Sequence, residues 1–282
     1  MRKFVVLNIV CQPHPNDIYH DLFRYAGEER KGFRYFGERY ATISPVSQLE
    51  DDVFSGRLAT WIEPDRTAKT IDVSSLEQRL FDESGVVIPR GIGLNSRVFN
   101  FALNTKNHLL VLELENDEKQ SISPAQGQRA LQNILRGVKH PDIEEVSVFV
   151  RSKRDAVSRI LSLPEIRKIE IDLFRPNPGD YSDDEEEILK ELEEENAKRR
   201  KTEIVRAPKR ETLKLNTRHL AMANVAKDNG HVTVNGTDEN GERIRLSTKE
   251  MPEIIYRGST DDSGGIVAKN IAKQLSEDEV AE

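Results

Sequence analysis

Residues 4–10 form a near-continuous apolar run rich in Val and Ile, the pattern of a strand covered on both faces. His14, Pro15, Asn16 and Asp17 interrupt it, with Asn16 or Asp17 placed to cap a helix. In that helix Ile18, Leu22 and Tyr25 or Ala26 recur at helical spacing, and Gly27 or Gly32 ends it. Two strands are predicted over 34–46 and 54–62, joined by the acidic Glu50-Asp51-Asp52 loop. A hairpin is predicted over 97–103 and 109–115 around Asn104-Thr105-Lys106-Asn107. Between 63 and 90 the pattern weakens, with one short strand suggested at 70–73. Ser123-Pro124 opens a helix with proline at its first position and Ala130, Leu131, Ile134 and Leu135 on one face.

Residues 146–150, 153–161 and 166–174 read as strand, short amphipathic helix and strand, which implies a right-handed crossover and a parallel pair. The expected fold class is therefore α+β: a mixed sheet with helices largely on one face, followed by a charged helix and a small α+β C-terminal region. Arg175-Pro176-Asn177-Pro178-Gly179-Asp180 breaks regular structure and marks a boundary, so residues 1–175 are predicted as the sheet domain. A linker and charged helix follow over 176–205, the helix itself reading over 183–201, acidic at its start and basic at its end. Residues 206–258 read as a small helix (217–227) plus a hairpin (231–234 and 243–246), with a third short strand at 253–256. Residues 259–282 read as a polar tail with a thin helical pattern at 266–275 and a frayed acidic end.

Composition narrows the class. The 282 residues are 37% hydrophobic and 32% charged, with mean hydropathy −0.61. No window approaches a membrane span, and the N-terminal apolar run lacks a cleavage site. The single cysteine, Cys11, excludes an internal disulfide framework and points to the cytoplasm. With no neighbouring cation to activate its thiol, Cys11 reads as structural and inert.

The chemistry-bearing residues are sparse. Gly91-Ile92-Gly93 precedes a strand, whereas a phosphate cradle must open a helix, so it reads as a turn. The histidines His14, His20, His108, His140, His219 and His231 show no ligand spacing. His14 and His20 with Asp17 and Asp21 are the nearest approach to a metal set, but cap the first helix equally well. No metal site or cofactor is expected. Glu113 and Glu115, and Glu170 and Asp172 beside Lys168, place two carboxylates on one face of each of two strands, the arrangement a metal-dependent nuclease uses. Acid at alternate positions is equally the mark of a half-solvated strand. The clearest signal is basic: Lys198, Arg199, Arg200, Lys201, Arg206, Lys209, Arg210, Lys214 and Arg218 stand against Glu203 and Glu211 in a chain of net charge −7. Such segregation suits phosphate-backbone binding, and equally pairing with the adjacent acidic block at 180–195.

The phrases VVLNIVCQPHPNDIYHDLF, RYATISPV, GIGLNSRVFNF, ISPAQGQRALQNIL and IDLFRPNPGDYSDDEEEILKELEEENAK together resemble a bacterial family of unknown function, over essentially the whole chain. The stretch VSVFVRSKRDAVSRILSLPEIRKIEIDLFRPNP is also similar in architecture to phage-exclusion proteins of the lambda Rex A and Kiwa B kind. That similarity implies a cytoplasmic defence component that binds DNA and acts with a partner protein. The expected function is a non-enzymatic, nucleic-acid-associating defence or regulatory protein that forms a homo-oligomer and contacts nucleic acid without sequence preference through 198–218. A metal-dependent nuclease is the alternative.

Overall fold

Every backbone group of an apolar strand needs a neighbour, and the run at the N-terminus finds one on each side. The computed structural model describes residues 1–14, 18–50, 52–177, 183–259 and 262–280. In chain order the elements are β1 (Arg2–Gln12), α1 (Ile18–Glu29), β2 (Phe33–Phe36), β3 (Arg39–Ile43), β4 (Ser47–Glu50), β5 (Val53–Ile62), β6 (Lys69–Ile71) and β7 (Gln78–Leu80). Then come β8 (Leu94–Asn104), β9 (Leu109–Glu113), α2 (Pro124–Gly137), β10 (Glu145–Val150), α3 (Ala156–Leu161), β11 (Glu165–Phe174), α4 (Asp183–Glu194) and β12 (Arg199–Val205). The chain closes with α5 (Thr217–Ala226), β13 (Gly230–Thr237), β14 (Arg243–Ser247), β15 (Ile254–Arg257) and α6 (Gly264–Val280). The candidate caps Asn16 and Asp17 lie outside the described residues.

The fold is α+β. The first sheet has nine strands in the order β10-β1-β9-β8-β5-β3-β2, with β15 also on β1 and β4 on β5. The second has four, in the order β12-β11-β13-β14. The ladders of both sheets are antiparallel, which corrects the expectation of a mixed sheet. The expected parallel pair does not form: β10 ends the first sheet and β11 belongs to the second. The free edge of β10 explains why. Gln132 of α2 donates to Val146 O (2.8 Å) and accepts from Val148 N (2.8 Å), while Gln128 donates to Val148 O (2.6 Å). A helix has taken the ladder positions that another strand would need.

Helices cover the first sheet on both faces, not largely on one. Val5, Leu7, Ile9 and Cys11 pack with Phe23 of α1, Leu131 and Ile134 of α2, and Phe99 and Phe101 of β8. On the opposite face Phe4, Ala102 and Val111 pack under Val267, Ala268, Ile271 and Ala272 of α6. The region expected to be a polar tail thus contains a helix that seals the sheet. Its small residues at 268 and 272 allow close approach, and Asn104 donates to Ala272 O (3.2 Å).

The basic run 198–201 does not finish a helix: α4 ends at Glu194, the chain turns at Asn196 with φ +51°, and Arg199 begins an edge strand. The alternation of Arg200, Thr202 and Ile204 against more exposed neighbours explains the change of period. The second sheet takes β11 from within residues 1–175 and pairs it with β12 and β13 from beyond them. Finally, Pro176 and Asn177 are buried. Asn177 accepts from Cys11 N (3.1 Å) and donates to Ile9 O (2.8 Å), extending the ladder on β1 where β9 stops at Asn8. Asn8 donates in turn to Asn229 Oδ1 (3.0 Å), so β1 is stitched to the second sheet on its flank.

Candidate anion-binding face

The second sheet packs one face into an apolar core and carries a polar, partly exposed outer face on which Asp172, Thr233, Thr237 and Ser247 are themselves buried. Ile169, Ile171, Leu173, Val232 and Val234 turn inward against Ile188 and Leu192 of α4 and Met222 and Val225 of α5. Alternate residues therefore turn outward. Cross-strand register assembles Asp172 with Lys201 and His231, Glu170 with Glu203 and Thr233, and Asn235 with Lys168 and Arg245. Arg243 faces Thr237, and Thr237 faces Glu165, at the end of the same face.

Asp172 is the best-held carboxylate on it, only 4% exposed. It accepts both arms of a bidentate pair with Arg199, Nε at 2.6 Å and Nη2 at 2.5 Å. Burial works to raise this carboxyl, but the Arg199 hydrogen bonds and charge outweigh it and hold it below its ordinary value. The Arg199 guanidinium also lies over Phe174, 4.7 Å from the ring centre. His231 Nδ1 is 3.7 Å from Asp172 Oδ2. Burial lowers His231 to about 4, and the charges of Lys249, Arg199 and Lys201 add to that against the opposing pull of Asp172. Lys249 is lowered too, first by desolvation and then by Arg199, Lys201 and Arg245 despite the opposing pull of Asp172. Burial is the first cause of both shifts, and the surrounding cations add to it as an excess of positive charge that Asp172 only partly offsets.

The excess has a simple origin. Glu170 and Glu203 both pair with Lys168, at 2.6 and 2.8 Å. Glu165 accepts from Arg167, Thr237 and Arg206, which hold it to about 2. The carboxylates of β11 and β12 on this face are thus already engaged. Lys201, Arg243, Arg245 and Lys249 have no carboxylate within ion-pair distance among the described residues. From β12 to β14 is three strand spacings, about 14 Å, which matches the axial rise of about four phosphates on one strand of duplex.

The nine basic residues predicted as a site divide in two. Lys198 pairs with Glu145 (3.7 Å), Arg199 with Asp172, Arg200 with Glu191 (2.6 Å) and Glu195 (2.7 Å), Arg206 with Glu165, and Arg218 with Glu187 (3.1 Å) and Glu191. Pairing with the acidic helix is therefore real for Arg200 and Arg218. Lys201, Lys209, Arg210 and Lys214 carry no such pair among the described residues, and the last three lie in the exposed connector after β12. Sequence reasoning missed Arg243, Arg245, Lys249 and His231. The Arg243-x-Arg245 alternation in a hairpin strand was the available signal, since period two puts both guanidinium groups on one face.

The carboxylates considered for a nuclease are not brought together. Glu113 lies in the first sheet, fully buried, bound to Arg2 Nη1 (2.8 Å) and to Asn100 N and Nδ2 (3.0 and 2.7 Å). Glu115 is exposed and pairs with Lys119. Glu170 and Asp172 stand on the second sheet, engaged as described. His14, Tyr19 and His108 form an aromatic cluster beside the buried Cys11, with Tyr19 Oη 3.2 Å from His14 Nδ1, while His20 stacks on Phe54. Burial pushes the Cys11 thiol up to about 12. Among the described residues no group of three or more His, Cys, Asp or Glu could hold a metal ion. Gly91 (φ +79°) lies in the turned approach to β8 and Asn95 (φ +51°) near its start, and neither opens a helix. Among the described residues no helix is long and apolar enough to cross a membrane.

An antiparallel sheet sealed by helices, with a second, half-open sheet stitched to its flank, defines the class as α+β with a charged platform. The chain belongs to the family described as Domain of unknown function (DUF4747), whose profile matches residues 2–277. No curated protein matches the chain.

Proposed function

We propose that the protein is a non-enzymatic component that associates with nucleic acid through its phosphates, without sequence preference, in a defence or regulatory role. The observation that carries this reading is a set of four cations that have no ion pair among the described residues, Lys201, Arg243 and Arg245 on the outer sheet face and Lys249 just after β14, where the face's carboxylates are occupied. Lys209, Arg210 and Lys214 add exposed charge in the connector after β12. The face carries no row of exposed aromatics on which bases could stack, which favours backbone contact over base readout. The defence setting and a protein partner rest on the resemblance of 146–178 to phage-exclusion proteins, and the single buried cysteine suits a reducing cytoplasm.

Fluorescence anisotropy with labelled duplex tests the reading. If three or four phosphates are engaged, affinity falls about 40- to 150-fold between about 50 and 200 mM salt. Replacing Lys201, Arg243, Arg245 and Lys249 with Gln flattens the log–log slope by about 0.9 per lost contact and leaves the fold unchanged. Absence of binding by the wild type at about 50 mM salt and micromolar protein would falsify the proposal.

A further inference from the structure

Between β5 and β8 the chain leaves the first sheet for residues 63–93 and returns, carrying its own two-stranded ribbon of β6 and β7. The ribbon is anchored at its root: Arg66 donates to Ile88 O (2.5 Å) and Pro89 O (3.1 Å), and Gly93 lies so close to the Trp61 ring that no side chain would fit there. Beyond the root the arm presents its apolar side chains to solvent. Ile71 is 54% exposed, Val73 83%, Leu76 71%, Leu80 50%, Val86 52% and Val87 89%. Summed, these residues expose on the order of 600–700 Å², comparable with the roughly 800 Å² each partner contributes to a standard interface.

We infer that the arm is a self-association surface, and that what covers it is the arm of a second copy of this chain. Three observations select that occupant. The arm carries four basic and six acidic residues, interleaved as Arg66, Lys69, Asp72, Glu77, Arg79 and Asp82. A two-fold interface meets its own charges, so a patch of one sign would repel itself, whereas mixed signs find complements. The ribbon pairs with no other strand, so its outer edges remain open to one, apart from the Leu80 amide, which donates to Glu83 Oε2 (3.3 Å). An isolated two-strand ribbon is marginal in water, and a second identical ribbon supplies edges of matching length to make a four-stranded sheet. The apolar area is also of the size that a dimer contact requires.

Sedimentation equilibrium on the full chain, across a wide concentration range, measures the association. Val73→Asp together with Val87→Asp tests the surface; both side chains are more than four-fifths exposed, so neither supports the fold. The wild type is expected to dimerise at micromolar concentration, and the double variant to raise the dimer Kd by at least ~100-fold, since four apolar contacts are lost across the two-fold, with an unchanged melting curve. In parallel, hydrogen exchange at residues 69–80 of the wild type is expected to slow as protein concentration rises. A wild type that remains monomeric at the highest concentration overturns the inference. So does a dimer that the double variant forms equally tightly, or a dimer whose formation leaves exchange at 69–80 unchanged. Should the variant melt early, the wild-type exchange measurement decides alone.

Discussion

Glu113 and Asp172 are two strand carboxylates, each gripped by an arginine, in two sheets built on opposite plans. Glu113 sits where the first sheet is sealed: Arg2 and Asn100 surround it, Gly264 at the start of α6 approaches so closely that a side chain there would strike its carboxylate, and no water reaches it. The start of a helix is a favourable place for a negative charge, so the pair and the helix that covers it are mutually dependent. Asp172 is nearly as buried, but its partner Arg199 is 39% exposed and His231, Lys201 and Lys249 stand around it. The first arrangement closes a core. The second holds a guanidinium at a surface that other cations share. Burial of the acid alone does not separate structural from functional charge; the exposure of its partner does.

That contrast is broken most directly by truncation. Glu113→Ala leaves the buried Arg2 guanidinium with Asp117 and the Asp262 carbonyl but takes away its core carboxylate and orphans the Asn100 amide, and is expected to lower the unfolding free energy by about 2–4 kcal/mol, whereas Asp172→Ala, whose partner can turn to solvent, lowers it by about 1–2 kcal/mol. Urea denaturation of both variants measures this, and equal losses would erase the distinction. Next in size is pH. Burial lowers His108 to about 3, with His14 adding to it, and lowers His231 to about 4, from an ordinary 6.5. The unfolded chain therefore binds extra protons between those values. Stability from these groups is complete above pH 6.5 and drains away as pH falls towards 3, with a slope of up to about 1.4 kcal/mol per pH unit for each histidine. His108→Asn suits the left-handed backbone at this position (φ +61°) and should flatten that slope in acid titrations of stability.

A smaller effect sharpens the role of the second sheet. Asp172→Asn releases Arg199 and removes one negative charge from the open face, so duplex affinity at low salt should rise several-fold, by less than about 1.4 kcal/mol. A fall in affinity would mean that Arg199 works only when Asp172 holds it. The least effect is expected at Cys11: fully buried and with its thiol raised to about 12, it should resist maleimide in the native state and react at the rate of unfolding.

Much of the first sheet was legible in the chain. The apolar run at 4–10, the Ser123-Pro124 start and the hairpin at 97–115 each carry a local signal that the tertiary structure obeys. Partnership was not legible. The order β10, α3, β11 looks like a parallel crossover, and only Gln128 and Gln132 of α2, capping the edge of β10, explain why it is not one. The basic segment showed its charge but not its neighbours: Arg200 and Arg218 are spoken for by Glu191, a residue of the preceding helix, while Lys201 in the same run turns to the opposite face of the sheet. Arg243 and Arg245 lie about forty residues beyond Lys201, outside the basic segment and in a separate hairpin strand.

The pairing of β1 with β15 has a consequence for synthesis. β1 is synthesised long before Ile254 and Ile255 on β15 and the α6 helix that covers Phe4. At about 5–20 residues per second the outer face of the first sheet waits about 10–50 s for its cover. During that interval Phe4, Ala102 and Val111 face solvent or whatever shields nascent chains, so the first sheet is completed only once α6 has been made.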